Sequence, residues 1–93
     1  MAHCPYEKLS DLQLLLEKIR GLEKLKEPKP GIFYFKGQGF LHFHTNKEHE
    51  RWMDVREGEK WGKPIMVPQI IRAKELGKIF QEIEKRYLKT LKP

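Results

Sequence analysis

Two histidines stand two residues apart in Phe40-Leu41-His42-Phe43-His44, so on an extended strand both imidazoles leave the same face. Imidazole ligates metals, passes protons and changes charge near neutral pH. Trp52 and Asp54 repeat that spacing in Arg51-Trp52-Met53-Asp54-Val55-Arg56, and Tyr34 does so in Ile32-Phe33-Tyr34-Phe35-Lys36. If the three runs pair as antiparallel neighbours, Tyr34, His42 and Asp54 form one row and Ile32, His44 and Trp52 the next. Side chains opposed in this way have Cβ atoms about 4.5–5.5 Å apart, within reach of a His42–Asp54 hydrogen bond. A carboxylate facing an imidazole fixes its tautomer, and a neighbouring phenol can donate to a substrate oxygen. No serine or cysteine nucleophile falls in these rows, so no residue is assigned a catalytic role and the pattern favours binding.

The same side chains suit a transition metal. His42 and His44 would supply two nitrogen ligands, the following Glu48 an oxygen and His49 a further nitrogen, a donor set that fits zinc, nickel, iron or copper. In spacing, His42-Phe43-His44-Thr45-Asn46-Lys47-Glu48 resembles the His-x-His-x3-Glu part of the cupin metal motif. The resemblance covers seven residues. The motif's leading glycine would fall at Lys36 and its trailing glycine at Val55, and no second motif follows, so the jelly-roll fold is rejected and only a local histidine site is retained.

These residues need a sheet to hold them. Gly37-Gln38-Gly39 separates the two aromatic runs and predicts a hairpin. A three-residue loop with Gly39 at positive φ gathers Phe33, Phe35, Leu41 and Phe43 on one side, whereas a two-residue Gly37-Gln38 turn would leave aromatics on both, so the longer loop is expected. Arg51–Arg56 is the third strand, with Met53 and Val55 on the apolar face. Pro64–Pro68 is a short edge strand or an extended packing segment. Before the sheet, Ser10-Asp11-Leu12-Gln13 has the form of a capping box with Leu9 and Leu14 at staple positions. Leu12, Leu15, Leu16, Ile19 and Leu22 then trace a helix to about Lys26, unless Gly21 ends it earlier or Pro5 opens it. Pro28 and Pro30 stop it, leaving Glu27 to Gly31 as a linker. After the sheet, Ile71, Leu76, Ile79, Phe80, Ile83 and Tyr87 predict a helix from about Pro68 to Leu88 that tolerates Gly77. The expected fold is α+β in two layers: helix, three- to four-stranded antiparallel meander, helix, with both helices on one sheet face.

At 93 residues the chain suits one domain, residues 1–93. No apolar run approaches the roughly 18 residues of a spanning helix, the N-terminus has no signal-peptide pattern, and the single Cys4 beside His3 cannot form an internal disulfide. The expectation is a cytoplasmic protein without membrane contact, and its abundant Lys and Glu with a single Asn are thermophile-like. The net charge of +6 is concentrated in residues 61–93, where eight Lys/Arg face three Asp/Glu. A nucleic-acid partner would therefore meet Lys78, Lys85, Arg86 and Lys89 on the last helix, or stack bases on Tyr34, Phe40 and Trp52 with Lys36 and Arg56 at the phosphates. The uncovered sheet face, with Trp52 and Trp61 large for exposed positions, points first to a binding or assembly module that forms a homo-oligomer, most simply a dimer.

Overall fold

A computed structural model describes residues 6–91. Cys4, His3, Pro5 and Lys92 lie outside the described residues. A 3₁₀ helix, Tyr6–Leu12, leads into α1, Gln13–Arg20; then come β1 (Leu25–Lys29), β2 (Ile32–Phe35), β3 (Gln38–Thr45), β4 (Arg51–Glu57), β5 (Lys60–Trp61), β6 (Ile65–Val67) and α2 (Ala73–Leu91). The sheet runs β1-β2-β3-β4-β5 with every neighbour antiparallel, and β6 also pairs with β4, along the Arg51–Met53 end. The α+β fold is as expected, with a larger sheet.

The additional strand β1 takes the place of the predicted linker and of the last turn of the predicted first helix. That helix ends early because Gly21 caps it, bonding back to Glu17 and Lys18, and the chain turns at Lys24 with φ of 71°. Pro28 then sits in an edge strand, where its missing N–H interrupts no central ladder. The helix start also differs. Leu12 is the N-cap and makes no side-chain capping bond, Ser10 is exposed, and Leu14 points to solvent, so Leu9 and Leu14 form no staple. The stripe itself is real: Leu12, Leu15, Leu16 and Ile19 are all buried.

The hairpin turn differs from expectation too. Lys36 and Gly37, with φ of 50° and 82°, form a two-residue turn, while Gly39 is not at positive φ. Two positive-φ residues twist with the strands they join, which favours this short connection. The extra residue is absorbed within β3 as a bulge, between Phe33↔Leu41 and Tyr34↔Gly39. Ile32, rather than Tyr34, is therefore paired with His42. Because the pairing beyond the bulge moves by two residues, no side chain there changes face. Phe40, at the bulge, is buried together with Leu41, which removes it from the predicted base-stacking set.

Both helices lie on the apolar sheet face. Phe33, Phe35, Leu41, Phe43, Met53 and Val55 project into one cluster with the α1 stripe and with Leu76, Ile79, Ile83 and Tyr87 of α2. Two arginines tie the layers together. Arg51 is buried and donates to both carboxylate oxygens of Asp11, at 2.7 and 3.0 Å, and to the Pro68 carbonyl. Arg86, buried on α2, donates to Glu82 and to the carbonyls of Val55 and Lys63. A Cβ on Gly62 would come within 2.7 Å of the Arg86 Nη1, so a glycine there leaves the room the guanidinium fills. Arg86 thus belongs to the core, which corrects its place in the predicted polyanion surface. No helix among the described residues is long and apolar enough to cross a membrane.

Candidate functional site

On the sheet face away from the helices, alternation along β2, β3 and β4 brings out Ile32 and Tyr34, His42 and His44, and Trp52, Asp54 and Arg56. β3 and β4 pair as expected, His42↔Asp54 and His44↔Trp52. The imidazole–carboxylate contact, however, runs on the diagonal. His44 Nε2 lies 2.9 Å from Asp54 Oδ2, and not His42 but His44 is the carboxylate's partner. Sheet twist brings diagonal neighbours within reach of long or ring side chains. His44 is only 12% exposed in its side chain, held under the nearly parallel ring of Trp52, whose centroid is 5.7 Å away at an interplanar angle of 26°.

The rings continue without a gap. His42 lies 6.2 Å from His44, 6.3 Å from Tyr34 and 5.2 Å from Trp61. Trp61 arrives from β5, whose pairing sets it opposite Arg56, and the Arg56 guanidinium stacks 4.8 Å from the indole. Its ring lies across Gly39: a Cβ there would meet the indole at 3.2 Å and His42 Nε2 at 3.0 Å. Gly39 is therefore needed for this close approach and not for a left-handed turn. Arg56 donates to the carbonyls of Gly39 and Glu59, which fixes it as an internal brace rather than the predicted phosphate contact. On the opposite flank Met66 pairs with Trp52 and is 58% exposed.

Beside the rings, the β1 end of the face is hollowed into an open trough of about 890 Å³. Ile32, Tyr34 and His42 contribute to its lining, with Lys26 and Lys29 from β1 and Lys36 at the hairpin turn. Glu27 is the one acid among the lining residues, and it is occupied by Arg20, at 2.6 and 3.0 Å, and by the Gly31 N–H. Burial pushes the Glu27 carboxyl up, but the Arg20 and Gly31 hydrogen bonds outweigh it and hold it below the ordinary carboxylate range.

The predicted metal set does not assemble. Asn46 organises the β3–β4 loop by accepting from the Glu48 and Glu50 N–H groups, and His49 adopts φ of 64° while its carbonyl accepts from Gln69. This leaves Glu48 and His49 apart from His42 and His44, and among the described residues no three His, Cys, Asp or Glu side chains come together to hold an ion. The predicted helix surface is reduced as well. Lys78 and Lys85 are exposed, but Lys85 lies 3.9 Å from Glu82, Lys89 is bonded to Glu57 and Arg86 is buried.

The positions of Met66, Lys26 and Lys29 on this face were not legible in the sequence. Met66 was hidden by the prolines around it, and the two lysines lay in a segment whose prolines and charges conceal a strand. No family model, no curated protein and no solved structure matches this chain.

Proposed function

We propose that this protein is a small cytoplasmic binding module that self-associates through the β4–β6 half of its uncovered sheet face, a second copy covering Trp52 and Met66. The observation that carries the reading is the register pair Trp52↔Met66: a thioether more than half exposed lies beside an indole that is itself stacked on His44. Of the six large hydrophobic side chains that remain exposed among the described residues, Tyr34, Trp61 and Met66 belong to this face. Clustering of that kind marks a contact surface, whereas single scattered apolar side chains do not. A like partner suits this half because Asp54, its acid, already has His44 as a counterpart. The lysine-rimmed half would repel its own copy. The lone cysteine leaves no internal disulfide framework, which supports the cytoplasmic setting.

Sedimentation velocity on the untagged protein at micromolar concentration tests this directly. A dimer is expected, and Met66→Lys should shift it to monomer while leaving the melting temperature of the monomer unchanged. A wild-type chain that sediments as a monomer at that concentration overturns the reading.

A further inference from the structure

We infer that the trough between β1 and β3 is a binding site for a nucleotide unit, a planar heteroaromatic base carrying a phosphate. This site occupies the other half of the sheet face from the proposed dimer contact and stands without it.

Three observations converge on that chemistry. The trough is large enough for a small organic ligand, since such sites span roughly 300–1,000 Å³ and this one holds about 890 Å³. Its floor offers flat and apolar surface: Tyr34, 36% exposed, stands beside the imidazole of His42, and Ile32 pairs with His42 across the strands. A base has a π-face whatever its identity, so an exposed tyrosine on a sheet is a stacking platform that tolerates any of them. Its rim is cationic. Lys26 pairs with Tyr34 and Lys29 with Ile32, so each ammonium stem rises from the strand next to the platform. Lys36 also lines the turn end, but its Nζ lies 5.4 Å from the ring of Phe35 on the helix-facing side, so the charge at the rim is that of Lys26 and Lys29. Glu27, the only lining carboxylate, is neutralised by Arg20 outside the trough, so the net field at the rim favours an anion.

An apolar ligand would leave two lysines with nothing to neutralise, and a bare inorganic anion would leave the ring platform uncovered. A nucleotide unit answers both, with its base on Tyr34 and its phosphate between Lys26 and Lys29. The unit can be a free mononucleotide or one link of a single-stranded nucleic acid.

The test titrates the full chain at low salt with a nucleoside monophosphate in one arm and with a fluorescein-labelled oligo(dT) in the other, following amide shifts of Ile32, Tyr34 and His42 by NMR and anisotropy of the label. Binding in the first arm alone identifies a free nucleotide as ligand, and tighter binding in the second identifies single strands; either supports the site. Lys26→Glu with Lys29→Glu, and separately Tyr34→Ala, should each weaken binding about tenfold or more. If each lysine neutralises one phosphate of a single strand, the double reversal should also flatten the dependence of log affinity on log salt by about 1.4. All three side chains are exposed, so the variants should keep the wild-type melting curve. Absence of binding in both arms overturns the inference. So does binding that survives the two trough variants, which would place the contact elsewhere, as on the lysines of α2. Sedimentation of the same variants reports on the dimer independently, so failure of the nucleotide site and failure of the self-association are told apart.

Discussion

Strand β3 presents two opposite environments through adjacent residues. Leu41 and Phe43 face the helices and are buried to within a few per cent, in a cluster of aliphatic and aromatic carbon. His42 and His44, which alternate with them, face outward into a chain of rings that runs from Trp52 to Trp61, each within 6.2 Å of the next. The inner face is held by burial, which is non-directional and strong in sum. The outer face is held by ring stacking, one close His44–Asp54 pair and one cation–π contact, each worth about 1 kcal/mol or less. The outer face therefore contributes order but little stability, and its residue types are those that a partner or ligand can use.

The largest expected effect would break that contrast if it failed. Phe43→Ala removes a buried ring and should destabilise the protein by about 3–5 kcal/mol. His44→Ala, next in the chain, gives up the close approach to Asp54 and the Trp52 stack and should cost about 1–1.5 kcal/mol. Urea denaturation of the two variants measures the ratio directly. If His44→Ala were as damaging as Phe43→Ala, the outer face would be a second core, and a binding role for it would lose its basis.

A smaller effect sharpens the picture on the outer face itself. Gly39→Ala places a methyl 3.2 Å from the Trp61 indole and 3.0 Å from His42 Nε2. The contacts on Trp61 are at the far edge of the ring, and Trp61 is 43% exposed, so the side chain can swing aside at a cost of about 1 kcal/mol. Tryptophan emission should shift to the red as the indole leaves Gly39, His42 and the Arg56 guanidinium. Unchanged emission with a large loss of stability would mean that the backbone, and not the ring, had yielded.

How far the sequence revealed this arrangement follows from which forces were local. The period-2 alternation of β3 and β4 and the apolar stripes of both helices record burial, residue by residue, and the two-layer α+β architecture could be read from them. The pairing of β3 with β4 came out in register for the same reason. The turn could not be read so well, because a Lys36-Gly37 turn followed by a bulge and a three-residue Gly39 loop keep the same carbons on the same face; only backbone twist distinguishes them. β1 was concealed by Pro28 and by charges that an edge strand tolerates. At the candidate face the set of outward side chains was legible, but not the row across β2, where Ile32 and not Tyr34 opposes His42, and the choice of His44 over His42 as the partner of Asp54 depends on diagonal geometry that alternation does not encode. Arg86 looked like one more surface cation; its burial depends on the void at Gly62, 24 residues away in sequence.

The smallest effect concerns the rim of the inner face, where charge and core meet. Asp11 receives two hydrogen bonds from the buried Arg51, and these, with the attraction of the guanidinium, outweigh burial and hold its carboxyl below the ordinary value of 3.8. A carboxyl depressed by folding contributes stability that is complete above its unfolded pKa and disappears as pH falls through the lower folded value. Asp11→Asn should therefore lower stability near neutral pH and flatten the acid limb of the stability curve below about pH 4, since an amide at this position has no proton to take up. Because the Asp11 side chain is 44% exposed, water screens the pair and the contribution should stay under about 1 kcal/mol, well short of the Phe43 effect. Urea midpoints measured from neutral pH down into the acid range would reveal it as two curves that draw together as pH falls. Parallel curves across that range would show that the hold of Arg51 on the layers does not depend on the charge of Asp11, and that the inner face depends on no titrating group at that edge.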